Sequence, residues 1–323
     1  MAMKLLLYEW CCSGGLAGRA SDETLESIAG EGRMMLEALA ADASRDPSLD
    51  VSVLVESMRS IDLPSGVNTR AVDAGHELET LADAARQADW SIVVAPETEG
   101  ILEDRVAGVR AAGGAILAPS AAFLALAADK QATALALAAA GVPVPAGRPL
   151  AAGEPAPQGF RMPAVRKIRD GVGCDAMVIL RDGSVGPSPR PTRLEAFAAG
   201  MPVGVSCLCG VQGIDVLPPM RQRFTPGDTP RYLASEPFDD ASLAERASRL
   251  AQRAIAAVER AAGDGPAVGW VGVDMILGER DDGRNDRVLE VNPRLTTSFV
   301  WLAPRSGASL VRSMIDRAGS HSR

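Results

Sequence analysis

Short apolar runs rich in β-branched residues recur through the first part of the chain, at residues 3–8, 51–55 (VSVLV), 91–95 (SIVVA) and 115–118 (AILA). Each is too short for an ordinary helix and is bounded by polar or turn residues, the pattern of a strand buried on both faces. Helical stretches are expected between them at about 22–43 and 79–88. Strands alternating with helices predict a small parallel α/β domain over residues 1–119. At Ala118-Pro119-Ser120 the pattern changes. Ser120 suits the N-cap of a helix over 121–127, and 129–140 reads as a second helix ending at Gly141. Val142-Pro143-Val144-Pro145 leaves as an extended segment, and residues 146–160, rich in Gly, Pro and Ala without periodicity, read as a linker or surface loop. Strands are expected again at 163–168, 176–180 and 202–208. Over 241–262, Leu243, Ala247, Leu250, Ala254 and Ala257 recur at three- and four-residue steps, which predicts a long amphipathic helix. Strands at 269–277 and 287–291 and a helix at about 306–318 follow, with 319–323 as a loose tail.

Composition narrows the functional classes. A length of 323 residues fits about two or three domains, and 47% hydrophobic residues supply a substantial core. A net charge of -8 argues against nucleic acid as the main partner, and 4% aromatic residues offer no base-stacking platform. No apolar run approaches the ~18 residues of a membrane span. The opening MAMKLLLY is interrupted by Glu9 and reads as a buried first strand rather than a signal peptide. Five cysteines without a CxxC pair suggest neither a disulfide framework nor a zinc site, and a cytoplasmic setting is expected. Cys11 and Cys12 are adjacent, so their side chains point apart and do not chelate; Cys207 and Cys209 share a face and are expected to be buried. His76 and His321 are the two histidines, too few for a His-based mechanism. Of 33 basic residues 30 are Arg, so the internal Lys130 and Lys167 stand out as compact ammonium groups in a chain that otherwise uses Arg.

The candidate chemistry lies in three places. GWVGVDMIL, 269–277, is an apolar strand carrying Asp274, and RVLEVNP, 287–293, carries Glu290 and Asn292 on one face. Folding the polar stretch between them about Asp282 sets Asp274 opposite Glu290. Acids inside apolar strands are costly without a cation, and three oxygen ligands suit a hard ion, Mg²⁺ or Mn²⁺. In MPAVRKIRDGVGCD, 162–175, Lys167 sits in a strand and Gly171 and Gly173 follow. Glycines there admit phosphate oxygens to backbone N–H groups, although an ordinary hairpin turn reads equally from these residues alone. The spacings of the phosphate loop and of the dinucleotide-binding fingerprint are both absent. Lys130, at a helix start that favours acids, makes sense if it reaches out to an anion.

Taken in order, these pieces resemble the ATP-grasp superfamily of carboxylate–amine ligases. The matching stretches are Asp129-Lys130-Gln131-Ala132-Thr133 with Gly141-Val142-Pro143-Val144-Pro145, then Lys167 with its loop to Cys174, then Asp274 with Glu290-Val291-Asn292-Pro293-Arg294. The resemblance covers roughly 118–305. It implies a fold of α/β and α+β parts: a Rossmann-like parallel domain over 1–119, an ATP-grasp small subdomain over 120–196, and a C-terminal subdomain with the metal site over 197–323, the last two clasping the nucleotide. It implies that Lys130 and Lys167 hold the phosphates of ATP, with Gly171 and Gly173 in the loop that closes over them. Asp274, Glu290 and Asn292 would bind Mg²⁺ or Mn²⁺. Arg294, with Lys167, would be catalytic, touching the transferring phosphoryl group or the acyl phosphate. Glu195-Ala196-Phe197-Ala198-Ala199-Gly200 resembles the hinge whose backbone reads adenine, with Ala196 where the family carries an acid. Lys167 is followed by Ile168 rather than by Pro.

A finer likeness rests on Asn292-Pro293-Arg294-Leu295-Thr296-Thr297-Ser298-Phe299, which resembles the NPRxTTS signature of tyramine–glutamate ligase-like proteins. Glu9-Trp10 with Gly14-Gly15, and Glu31-Gly32-Arg33-Met34-Met35-Leu36, match further stretches of that subgroup. The likeness implies amide formation between L-glutamate and tyramine or tyrosine, in methanofuran- or methylofuran-type coenzyme synthesis and one-carbon metabolism. Glu9, Gly14, Gly15, Thr296, Thr297 and Ser298 would then lie on the substrate side. Two other readings stand beside it. One is an ATP-grasp ligase of another pathway, for peptide-like or pterin-coenzyme glutamylation, with Arg221 and Gln222 helping to choose the substrate. The other is an ATP-binding regulatory protein without ligase activity. The expected partners are small-molecule amino acids and amines, with no nucleic acid and no membrane; a homodimer is compatible with the reading.

Overall fold

The first apolar run is the centre of a parallel sheet. The computed structural model describes residues 2–19, 23–57, 59–174, 176–182 and 186–319. The expectations for residue 22, for Asp175 and for the tail from residue 320, His321 included, lie outside the described residues. The first part of the chain runs β1 (Met3–Glu9), α1 (Glu23–Ala43), β2 (Leu49–Glu56), β3 (Asn68–Val72), α2 (Glu77–Gln87), β4 (Trp90–Val94) and α3 (Ile101–Ala111). The strand order is β3-β2-β1-β4, all parallel. The chain therefore winds to one side of β1 and then returns to its other side. The crevice at the carboxyl ends of β1 and β4 is such a reversal point, where open α/β sheets place ligands. Glu9 is the last residue of β1, and residues 95–100 leave β4 beside it. The expected strand at 115–118 makes a single parallel bridge, Ile116 to Ser91, rather than a full strand.

Two helices follow, α4 (Ala121–Ala128) and α5 (Lys130–Ala139). The Ser120 hydroxyl accepts from the Phe123 N–H, and the Asp129 carboxylate accepts from the N–H groups of Gln131 and Ala132. Each cap satisfies donors that a helix start leaves open. β5 (Gly147–Leu150), β6 (Ala164–Ile168), β7 (Val178–Leu180) and β8 (Thr192–Ala196) form an antiparallel sheet in the order β5-β8-β6-β7. The stretch 146–160, expected as loop, thus contains an edge strand; β5 buries Leu150 and leaves Gly147, Arg148 and Pro149 exposed, so no apolar run announces it.

The last part holds β9 (Met201–Gly210), β10 (Gly213–Val216), β11 (Met220–Phe224), β12 (Tyr232–Pro237), α6 (Ala241–Ala262), β13 (Gly269–Leu277), β14 (Arg287–Asn292), α7 (Ser298–Leu302) and α8 (Leu310–Ala318). The sheet order is β12-β11-β9-β13-β14, with β10 paired to β9. Alternation along β9 and β13 sorts their side chains between two cores. Val203, Val205, Cys207, Val271, Val273 and Met275 pack with the apolar stripe of α6. From the opposite face, Leu208 and Trp270 join Leu36 and Leu39 of α1, Phe299 of α7 and Met314 of α8. That second core is continuous with the interior of the parallel sheet, so the first and last parts of the chain share buried surface. Burial of this kind is worth roughly 25 cal/mol per Å² of apolar area. It fixes the crevice at β1 against the polar face of β13.

Candidate functional site

The β13–β14 hairpin sets the chemistry. Its register pairs Gly272 with Asn292, Val273 with Val291 and Asp274 with Glu290, which is folding about Asp282 as expected. A bulge then admits Leu289 and shifts the ladder by one residue. On β9, Gly204 lies opposite Asp274. A Cβ at Gly204 would sit 3.0 Å from Gln222 Nε2 and 3.3 Å from Asp274 Oδ1, so a side chain there would press on the carboxylate. Asp274 Oδ1 accepts from Gln222 Nε2 at 2.7 Å, and Oδ2 accepts from Asn292 Nδ2 at 2.9 Å. Glu290 Oε2 lies 3.0 Å from Lys130 Nζ.

The two opposed carboxylates differ in charge state. Burial and the neighbouring Glu290 push Asp274 up to about 7. Burial acts on Glu290 in the same direction, but the ammonium groups of Lys130 and Lys167 outweigh it and hold Glu290 below its usual range. A proton near neutral pH on one of two facing acids marks a place where a cation is wanted, and an all-oxygen donor set fits a hard divalent ion. Asp274 has a consequence for stability. Its folded pKa lies above its unfolded value of 3.8, so the native state holds the extra proton between that value and about 7. Its contribution therefore falls as pH rises through this window and is flat above it. In urea unfolding without divalent ions, the wild type should lose stability relative to Asp274→Asn between pH 5 and pH 8. Added MgCl₂ should restore the wild type at pH 8 and leave the variant unmoved. Parallel pH profiles for the two proteins would contradict this assignment.

The lysines come from different elements. Lys130, the first residue of α5, gives its Nζ to Glu290 and to the Gly171 carbonyl. Lys167 of β6 pairs with Glu195 Oε1 at 2.6 Å, and Arg193 Nε holds Glu195 Oε2 at 3.0 Å. The glycine loop that carries Gly171 and Gly173 is fastened to the parallel domain: Thr98 Oγ1 donates to the Asp170 carbonyl at 3.1 Å, and the Glu99 N–H to Asp170 Oδ2 at 3.0 Å. Gly173 has φ +56°, a left-handed backbone that glycine adopts without strain.

A cavity of about 550 Å³ lies between the carboxyl end of the parallel sheet and this face. Lys167, Gly173, Asp274, Glu290, Asn292 and Arg294 line it, as do Glu9, Thr296, Thr297 and Ser298. Lys130 and Gly171 border a narrow cleft that shares Glu290 and Asn292 with it. Arg294 Nε donates to Glu97 Oε2 at 2.9 Å, across from the β4–α3 connection. Thr296 Oγ1 accepts from Trp270 Nε1 at 3.1 Å and shares a hydrogen bond with Ser298, which shares another with Ser206. Glu9 is 2% exposed, accepts from the Cys12 N–H at 2.8 Å, and is pushed up by burial.

Other expected residues lie elsewhere. Gly14 and Gly15 do not line the cavity. A Cβ on Gly14 would face Val72 and Glu77, and one on Gly15 would fall 2.0 Å from the Trp10 indole nitrogen. The turn is built to pack on Trp10, so of that stretch Glu9 alone is placed at the cavity among the residues expected there. The hinge residues Glu195, Ala196, Phe197 and Ala198 also lie off the cavity. Glu195 is held by two cations, the Ala196 and Phe197 N–H groups bond to the Ala146 and Pro163 carbonyls, and Phe197 is 43% exposed. Gln222 meets Asp274, whereas Arg221, its neighbour on β11, points to the exposed face. Cys11, Cys12, Cys207 and Cys209 are buried free thiols, all pushed up chiefly by burial. Glu97 was not expected. An acid placed just beyond an apolar strand, in VAPETEG, is the signal that could have found it. Among the described residues no single helix is long and apolar enough to cross a membrane.

Comparison with known proteins identifies the family and the fold. Residues 127–298 match the model of the ATP-grasp domain, and residues 50–122 match that of the pre ATP-grasp 3 domain. The fold is similar to that of an ATP-grasp superfamily protein from Archaeoglobus fulgidus, at 20% identity and TM-score 0.72 over 100% of this chain and 91% of that one. It is also similar to L-amino acid ligase from Bacillus licheniformis, at 16% identity and TM-score 0.67 over 98% of this chain and 74% of that one. D-alanine–D-alanine ligase from Bacillus anthracis, complexed with ATP, matches at 16% identity and TM-score 0.62 over 98% and 97% of the two chains. At these identities the likeness concerns the fold. No curated protein matches the sequence.

Proposed function

This chain belongs to the ATP-grasp family, and from that premise we propose that it joins L-glutamate to tyramine or tyrosine in the synthesis of a methanofuran- or methylofuran-type coenzyme. The enzyme class, an ATP-dependent carbon–nitrogen ligase, follows from the family; the substrates are our reading. The observation that carries it is convergence. Lys167, Asp274, Glu290 and Asn292, drawn from two sheets, and Arg294, just past β14, surround one cavity, and Lys130 reaches Glu290 from α5.

In this reading Lys130 and Lys167 release their carboxylate partners to the phosphates of ATP, and the N–H groups of the loop at Gly171 and Gly173 add donors. Asp274, Glu290 and Asn292 would hold Mg²⁺, which supplies charge neutralisation to the phosphate oxygens. The substrate carboxylate attacks the terminal phosphorus, giving an acyl phosphate and ADP. Arg294 faces the charge that develops on the transferring group. The amine nitrogen then attacks the acyl carbon, the carbon–oxygen bond to phosphate breaks, and the nitrogen gives up a proton. The protein's part is positioning and electrostatic stabilisation. Thr296 and Ser298, held by Trp270 and Ser206, offer hydroxyl groups to the substrate beside that centre.

A coupled ADP-release assay tests this. ADP should form with L-glutamate plus tyramine or tyrosine, and not with either substrate alone. Mass spectrometry should find a product whose mass is that of the two substrates less water. Transfer of glutamate to some other acceptor would move the protein to another pathway. No ADP with any pair of amino acid and amine, from folded protein, would remove the ligase reading.

A further inference from the structure

We propose that Glu31 of α1 is the specificity residue for the amine substrate, its carboxylate receiving the ammonium group of a primary amine carried on an apolar or aromatic body. The proposal deepens the ligase reading above and takes from it only that the acceptor is an amine.

Helix α1 turns one face to the cavity, with Ser27, Ile28, Glu31 and Met35 along it at helical spacing. Glu31 is half-buried, and among the described residues no group hydrogen-bonds or ion-pairs with its carboxylate. Burial pushes it above its usual range against the pull of Arg294. The cations that share the cavity are differently placed: Arg294 is held by Glu97 at 2.9 Å and Lys167 by Glu195 at 2.6 Å, and Arg231, which also lines it, is engaged as well. The wall thus carries an anion that the chain itself does not match. A half-buried carboxylate without a partner is costly, and a bound ammonium would offset that cost.

The next residue explains the local sequence. A Cβ at position 32 would fall 2.3 Å from Glu9 Oε1 and 2.5 Å from its carboxyl carbon. Glycine inside a helix costs about 1 kcal/mol relative to alanine. Here it lets the Glu9 carboxylate lie against the helix one residue from Glu31, so two acids share this end of the cavity. Ile28, Met35 and Val94 beside them form an apolar wall. A cation with an apolar body fits that combination; a second carboxylate on the ligand would meet the two acids.

The test is calorimetric titration of tyramine into the full-length protein and into Glu31→Gln, without nucleotide. The dissociation constant should rise about 10- to 100-fold in the variant, the loss of one charge-assisted hydrogen bond. Glu31→Asp should keep part of the affinity. Binding of 4-ethylphenol, the same body without the ammonium, and binding of MgATP should be unchanged, which also shows the variant to be folded. Equal tyramine affinity in wild type and Glu31→Gln would overturn the proposal. So would an equal loss for 4-ethylphenol, or no wild-type binding of tyramine, phenethylamine or n-hexylamine. The ligase reading is read separately by ADP release. Amine binding through Glu31 without ADP formation would sink that reading and keep this one; ADP formation with Glu31→Gln at unchanged amine KM would do the reverse.

Discussion

Glu290→Gln is expected to lower ADP-forming turnover by about 10²–10³-fold while the protein stays folded, the size of effect seen when one preorganised electrostatic group is removed. Glu290 stands directly across the ladder from Asp274, and its Oε2 lies 3.0 Å from Lys130 Nζ. It is the point where the cation-seeking acids meet the ammonium from α5. Glutamine keeps the volume and loses the charge. Lys130 then loses its nearest anion, and Asp274, freed of the repulsion that helps lift it to about 7, should move back toward the ordinary carboxylate range. The variant should therefore bind MgATP more weakly and show a shallower fall in stability between pH 5 and pH 8, with burial alone left to raise Asp274. Near wild-type kcat would take Glu290 out of the site. A melting point lowered by more than a few degrees would identify a structural role instead.

The same pair shows what could be read in advance. A polar stretch between two apolar strands has a midpoint, and that midpoint set Asp274 opposite Glu290 without any structure. The bulge at Leu289 was invisible, because one added residue leaves the apolar pattern of RVLEV intact. Helix α6 was legible from its alternating Ala and Leu positions, since one face meets a flat sheet. Strands β10 to β12 were not: most of their residues are half-buried or exposed, Met220 and Ser235 alone are buried, and no apolar run marks them. Helix α3 escaped although Ile101, Leu102, Val106 and Val109 are buried at helical spacing, because acids, arginines and Gly108 break up its apolar stripe. The site followed the same division. Lysines rare in an Arg-rich chain and acids inside apolar strands announce themselves locally. Glu97 does not, because its meaning comes from a partner far along the chain: Arg294 lies 197 residues from it. The likeness to the subgroup sets Gly14 and Gly15 on the substrate side. The bulk of Trp10 decides otherwise, and such a packing choice has no signature in a short stretch of sequence.

Arg294→Met should cost stability as well as catalysis, and the two losses should separate in combination with a change at Glu97. Arg294 Nε and Glu97 Oε2 are 2.9 Å apart, Glu97 is 5% exposed, and the pair joins the segment after β14 to the connection after β4. Removing the guanidinium leaves a buried carboxylate that still feels the Lys130 ammonium but has lost its ion-pair partner. Breaking one side of a buried pair typically costs about 3–5 kcal/mol, mostly from the charge left behind. Replacing both partners removes that residual charge. Arg294→Met combined with Glu97→Gln should therefore recover much of the stability in urea unfolding, giving an interaction energy of about 1–3 kcal/mol in the double-mutant cycle. Activity should not follow. With no guanidinium facing the transferring group, kcat/KM for ADP release should stay about 10²–10³-fold down in the single and the double variant alike. Glu97→Gln alone keeps the guanidinium and loses only its anchor, so its kcat should fall less than that of either Arg294 variant. Additive stability losses would show that the two side chains are not coupled. Recovery of turnover in the double variant would show that Arg294 holds the domains together and takes no part in the chemistry.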